Sequence, residues 1–229
     1  MGEAALKAKL NLEEILNAVT HGIGAALSIA ALTGMLVMYY NDGVWHLTSC
    51  IIYGVSLILL YLASTLYHSF TNVKLKSIFK FIDHASIYVL IAGNYTPFAL
   101  IPLHGSLGWT IFGVVWGLAA AGIVFQVFCA KKFRVLGTLC YLAMGWFAVV
   151  MVRPLMALLP VDAIYWLFIG GAFYTVGAIF YLVRRIPYNH VIWHIFVLAG
   201  SAAHFWAIFR FVLPFPEVMQ SLAVLGILL

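Results

Sequence analysis

The chain has 229 residues, of which 65% are apolar, 16% aromatic and only 8% charged, with a mean hydropathy of +1.08. A soluble domain carries about 25% charged residues, so there is too little polar surface here to cover a water-facing globule, and a disordered or disulfide-rich secreted chain is excluded too. Twelve Lys and Arg spread over so apolar a chain form no basic face, which excludes nucleic acid as a partner.

In chain order, Leu6, Leu10 and Leu16, with Val19, fall near one helical stripe beside Lys7, Lys9, Glu13 and Glu14. This predicts an amphipathic helix over residues 1–17 lying on the cytoplasmic surface. No signal-peptide pattern is expected there, because acidic residues and polar spacing precede the first long apolar run. Seven stretches of about 20 mainly apolar residues, the length that crosses a bilayer, follow at 19–40, 46–68, 82–102, 107–129, 135–154, 163–183 and 190–213. The runs are continuous rather than alternating, so they are helices and not barrel strands. The fold class is therefore all-α: a polytopic bundle of seven transmembrane helices, with residues 18–213 as one membrane domain. The last twelve residues (VMQSLAVLGILL) are apolar but too short to span. Pro214 and Pro216 set them off from the seventh span, so residues 214–229 are expected to form a docked or interfacial tail.

The connections carry the orientation. Lys7 and Lys9 precede the first span; Lys74, Lys76 and Lys80 lie between spans two and three; Lys131, Lys132 and Arg134 between four and five; Arg184 and Arg185 between six and seven. Only Arg153 and Arg210 fall on the other side. The positive-inside bias then places the N-terminus in the cytoplasm and the C-terminus outside. The cysteines Cys50, Cys129 and Cys140 are unclustered and sit in apolar segments, so they read as small core hydrophobes.

Ionisable residues inside a span are costly and face the protein interior. Asn17 and His21 open span one, Ser64 and His68 end span two, Asp83 and His84 open span three, and His190 and His194 open span seven. With the orientation above, all four clusters occupy one leaflet at similar depth. His190 and His194, at i and i+4, lie on one helix face and form a two-ligand clamp, and His68 supplies a third nitrogen. Three histidines leave one coordination position open, as in a catalytic zinc site. Asp83 is placed to accept a proton from water there, and Ser64 to fix a ligand by a hydrogen bond. Taken alone, HxxxH on a membrane helix is weak evidence for a metal and reads more readily as an interfacial pair in the wet headgroup region. The matching depth of three other clusters favours a metal. Asn17, His21 and His84 are candidates for supporting hydrogen bonds around the ligands. His204 is ten residues past His194, about 15 Å along the axis, and cannot bind the same ion. His46 and His104 sit in outer turns and are expected to be solvated.

Several stretches resemble the progestin and adiponectin receptor superfamily, and more closely its bacterial haemolysin III branch. They are E-I-L-N-A-V-T-H-G-I-G (14–24), S-T-L-Y-H (64–68), D-H-A-S-I-Y (83–88), G-N-Y-T-P-F (93–98) and H-V-I-W-H (190–194). The resemblance runs from about residue 12 to 213, with the motifs in order and each on its expected span. It implies a seven-helix fold with a cytoplasmic N-terminus and a zinc held by His68, His190 and His194, with Ser64 and Asp83 associated with it. It extends to membrane hydrolases such as the alkaline ceramidases, in which a zinc-bound water is thought to cleave a lipid amide. The branch is named for haemolysis and has also been connected with membrane lipid homeostasis.

The leading expectation is a zinc-dependent hydrolase of a lipid amide or ester in the cell membrane, with membrane lipid as substrate or ligand. The alternatives are a non-enzymatic, zinc-stabilised sensor or receptor and a cytolytic, haemolysin-type membrane protein. A pore should show a polar stripe along a whole span, and none is expected here. A retinal protein needs a lysine in span seven, and the last lysine is Lys132. A G-protein-coupled receptor would place its N-terminus outside. Haem between paired histidines is a minor alternative.

Overall fold

The computed structural model describes residues 3–128, 134–183 and 185–216, apart from the side chains of residues 3–10 and 134. Lys131, Lys132, Cys129, Arg184 and the tail after residue 216 lie outside the described residues, as do the side chains of Leu6, Lys7, Lys9 and Leu10. Among the described residues there is no strand. The helices are α1 (Glu3–Tyr39), α2 (Val44–Ser69), α3 (Val73–Leu100), α4 (Ser106–Phe128), α5 (Arg134–Trp146), α6 (Val149–Leu158), α7 (Val161–Leu182) and α8 (Asn189–Ala207), which runs on into one π-helical turn at Ile208–Val212. α1 packs on α2, α2 on α3, and α3 on α4; α7 packs on α8, and α8 returns to α1 and closes the ring. α5 and α6 lie more loosely against α3, α4 and α7.

Among the described residues, six helical stretches are long and apolar enough to cross a membrane: Asn11–Tyr39, Val44–Ser69, Ser106–Phe128, Val135–Leu158, Val161–Leu182 and Asn189–Val212. Their surface inverts that of a soluble protein. Val37, Leu27, Val127 and Ile179 are exposed, while Asn17, His21, Ser64, His68, Asp83 and His194 are buried. Lipid as the outer solvent explains both halves, because it accepts aliphatic side chains and offers no hydrogen bond to a polar one. The remaining long helix, α3, has 28 residues, about 42 Å at 1.5 Å per residue. Its first turns carry Lys74, Lys76 and Lys80, and its later half, from Leu90 to Leu100, is mostly buried. It starts nine residues before the apolar run because Asn72 caps it, accepting from the Lys74 and Leu75 amides at 3.0 and 3.1 Å. At the N-terminus, no break separates residues 3–17 from the first span: α1 is a single helix from Glu3 onward.

The fifth expected span is broken. α5 ends at Trp146 and α6 begins at Val149, with tight amide-to-carbonyl bonds from Ala148 to Gly145, Val150 to Phe147 and Met151 to Ala148. Such a break frees carbonyls, which cannot stay unpaired at membrane depth. The Tyr95 hydroxyl supplies the partner, 2.8 Å from the Met144 carbonyl and 2.7 Å from that of Gly145. One side chain of α3 thus anchors the break, and the bent α5–α6 segment becomes one wall of the cavity described below.

Candidate metal centre

Residues at one end of the bundle converge because α1 and α3 start there, α2 ends there and α8 starts there. The start of α8 is fixed by its link to α7. Tyr188 adopts a left-handed backbone (φ 56°), uncommon for an aromatic residue. The Asn189 side chain donates to the Phe180 and Tyr181 carbonyls at the end of α7, at 3.2 Å each. His190 and His194 then follow one turn apart, facing His68 in the last turn of α2.

The ligand nitrogens of His68, His190 and His194 all lie within 4.8 Å of one another. Ring centroids are 5.1 Å apart for His68 and His190, 5.2 Å for His68 and His194, and 4.7 Å for His190 and His194. Nitrogens on a tetrahedral zinc, each about 2.0–2.1 Å from it, stand about 3.4 Å apart, so small side-chain rotations bring these three onto one ion. Their other hydrogen bonds favour that use. His68 Nδ1 is 3.2 Å from Glu14 Oε2, while its buried Nε2 has no protein partner. His194 Nδ1 is 3.2 Å from the Asn17 carbonyl and 3.3 Å from the Thr20 hydroxyl, which leaves Nε2 for a metal. A ligating histidine whose other nitrogen donates to a carboxylate or carbonyl is held in one tautomer and orientation. The donor set, its burial and the unpaired His68 Nε2 all fit a divalent metal ion.

α1 is the supporting element, and it contributes more than Asn17 and His21. Asn17 acts through its backbone, and its buried Oδ1 has no partner. His21 stacks flat on His194, with centroids 3.5 Å apart and planes 7° from parallel. Its edge contact with Tyr61 is at 5.0 Å. Gly24, one turn on, makes room for this: a Cβ there would overlap Tyr61 and Leu198. Glu14 and Thr20 were missed. The sequence puts Glu14 on the charged face of a surface helix, and in the structure it does pair with Lys76 Nζ at 2.5 Å. The signal was present, however: Glu14, Asn17 and His21, at i, i+3 and i+7, share one helix face.

Asp83 is outside the three-histidine cluster. Its Oδ2 is 3.2 Å from His84 Nδ1, which also lies 2.8 Å from the Lys80 carbonyl. His84 therefore serves the carboxylate. Ser64 is fully buried, and its hydroxyl has no protein partner. His204 packs separately, with Nε2 3.0 Å from the Leu167 carbonyl. The sequence had offered no substrate pocket, but the structure has one. A cavity between α3, α5–α6, α7 and α8 is lined at one end by His21, Asp83, His84, His190 and His194. It continues along apolar walls that include Ile87, Leu142, Val149 and Phe168, and reaches His204.

The comparisons with known proteins agree with the motifs. The family model described as "Haemolysin-III related" matches residues 10–205. A Bacillus subtilis protein named "Hemolysin-3 homolog" is 51% identical over 205 residues, covering 89% of this chain and 96% of its own. "Hemolysin-3" of Bacillus cereus is 48% identical over 203 residues, covering 88% and 93%. The human "Monocyte to macrophage differentiation factor" is 29% identical over 206 residues, covering 87% and 84%. With six apolar helices of spanning length, the chain is a multi-pass membrane protein, and it belongs to the haemolysin III branch of the progestin and adiponectin receptor superfamily.

Proposed function

We propose that the protein is a zinc-dependent hydrolase of a lipid amide or ester that acts in membrane lipid homeostasis. The observation that carries this reading is that a three-histidine cluster, with His68 and His194 buried and His190 half-buried, opens onto an apolar cavity whose wall also holds a carboxylate, Asp83. His68, His190 and His194 would hold the metal. Bound zinc supplies Lewis acidity toward a carbonyl and lowers the pKa of water to about 7. The protein does the rest. Glu14 and the Asn17 carbonyl orient His68 and His194, and the Asp83 carboxylate takes the proton of the attacking water. The unpaired Ser64 hydroxyl is left to bond water or the polar head of the substrate. Apolar walls receive the hydrocarbon part, and the loosely packed α5–α6 segment is the side for lateral access from the bilayer. Purified protein with zinc should hydrolyse members of a panel of lipid amides and esters, and stripping the metal with a chelator should stop it. Zinc-loaded, folded protein that turns over none of the panel would favour the zinc-stabilised sensor instead.

We assign α3 as the third of seven spans, which brings the six long apolar stretches to seven, with the N-terminus in the cytoplasm and the C-terminus outside. Lys74, Lys76 and Lys80 lie at the metal-centre end of the bundle, which the positive-inside bias puts in the cytoplasm. Single cysteines at Lys76 and Gly105 should differ in labelling of intact cells by an impermeant thiol reagent. Position 105 should react and position 76 should not; the reverse would overturn the orientation.

A further inference from the structure

Several buried polar atoms away from the metal centre have no hydrogen-bond partner in the protein. At the outer end of α2, His46, Ser49 and Tyr53 are buried and unpartnered, against the expectation that His46 is solvated, but none of the three lines the cavity. Asn94 on α3 and His204 on α8 do line it, and they are only 8% and 9% exposed.

α3 and α8 both start at the metal-centre end. Asn94 is eleven residues past Asp83 and His204 ten past His194, about 16 and 15 Å along their axes. The two therefore stand at one depth, near the middle of a hydrocarbon core about 30 Å thick, where an unsatisfied polar group is most costly. Tyr174 of α7 lines the same cavity. Its ring centroid is 5.4 Å from that of His204, and its hydroxyl is 2.8 Å from Ser201 Oγ. Close packing holds both rings in place. A Cβ on Gly170 would overlap the His204 ring, and one on Gly200 would overlap Tyr174.

The unpaired atoms define the group that is missing. The Asn94 amide nitrogen donates to the Leu90 carbonyl at 3.0 Å, which leaves Oδ1 without a partner. His204 Nε2 is 3.0 Å from the Leu167 carbonyl. A carbonyl only accepts, so Nε2 carries the hydrogen, and Nδ1 of the neutral ring presents a lone pair. Nδ1 too has no partner. Both open atoms are acceptors, and a plain alkyl chain satisfies neither. A hydroxyl does: its hydrogen goes to one acceptor, one water can bridge to the other, and its oxygen can accept from Tyr174.

We propose that Asn94, Tyr174 and His204 form a second binding site in the cavity, for a hydroxyl carried about 15 Å along an acyl chain from the group at the metal centre. The substrate class is then a lipid amide or ester whose acyl chain is hydroxylated part-way along. Which bond is cleaved rests on the hydrolase reading above; the binding of the chain hydroxyl does not.

The test measures binding without turnover, on the zinc-loaded full chain in detergent micelles, by displacement of radiolabelled stearic acid. The competitor is 12-hydroxystearic acid, the acid half of such a lipid, and it should compete about tenfold better than unlabelled stearic acid, the effect of a hydrogen bond to an otherwise unpaired acceptor. Asn94→Leu, which keeps the side chain's volume and removes the acceptor, should lose most of that preference, and His204→Leu likewise. Zinc content and thermal unfolding check the fold of both variants, and the wild-type preference decides by itself where a variant does not fold. Equal competition by the two acids would overturn the site, leaving water as its only occupant and the hydrolase reading intact. An undiminished preference in both folded variants would overturn the assignment to these residues. No binding of stearic acid at all would overturn the site together with the chain-receiving cavity. The expected preference in a protein that hydrolyses no lipid would uphold the site and sink the hydrolase alone.

Discussion

Purified protein should carry one zinc per chain, and His194→Ala should lose it. His194 is 1% exposed and is the ligand most enclosed by support, with the Asn17 carbonyl and Thr20 hydroxyl on Nδ1 and His21 stacked on its face. Four-ligand structural zinc sites bind with about 10–16 kcal/mol, or roughly 3 kcal/mol for each ligand. Removing one of three should therefore weaken zinc by about 10²–10³-fold. His190→Ala should do the same. Glu14→Gln should have a smaller effect, about 10–100-fold, because it leaves every ligand in place and weakens only the hydrogen bond that orients His68. Elemental analysis and zinc titration of the four proteins decide this. Zinc should also raise the unfolding temperature of wild type and leave that of His194→Ala unmoved, since a ligand stabilises only the fold that binds it. Full zinc occupancy in both histidine variants would remove the assignment.

The spans were legible where hydropathy alone decides. Expected bounds of 46–68, 107–129, 163–183 and 190–213 differ by no more than two residues from α2, α4, α7 and α8 with its π turn. What decides an apolar run is transfer into lipid, and that is a property of each residue. The start of α3 was missed because its first turns hold Lys74, Lys76 and Lys80, which reach solvent and break the apolar run without breaking the helix. The α5–α6 break was not legible either. It depends on Tyr95, some 50 residues away, to satisfy the Met144 and Gly145 carbonyls.

The three histidines at the centre were legible because they share a depth once the spans are placed. The i, i+4 spacing of His190 and His194 gives them a common face. Glu14 was not, although its spacing to Asn17 and His21 put it on their face, because a charged residue near a chain start is more often solvated. Nor was the cavity. It is enclosed by four separate parts of the chain, and no periodicity within one helix records what stands opposite it.

Asp83→Asn should keep the fold and most of the zinc and lose most of the hydrolysis. The carboxylate is 7% exposed, and a buried charge is costly without a partner; His84 Nδ1 at 3.2 Å is the partner in hand. An Asn side-chain oxygen can accept the same hydrogen bond at nearly the same volume, so the local packing has little reason to change. Because the carboxylate lies outside the three-histidine cluster, its loss removes no ligand. What Asn cannot do is take a proton at neutral pH, and removing a general base costs about 10²–10⁴-fold in rate. Zinc content, thermal unfolding and lipid-amide hydrolysis should be measured on the same wild-type and variant preparations. Undiminished hydrolysis would take Asp83 out of the mechanism, and joint loss of zinc and fold would make it structural. The sensor reading predicts a different pattern, with no turnover in either protein. Asp83→Asn therefore separates a carboxylate that moves a proton from one that only holds His84 and the start of α3 in place.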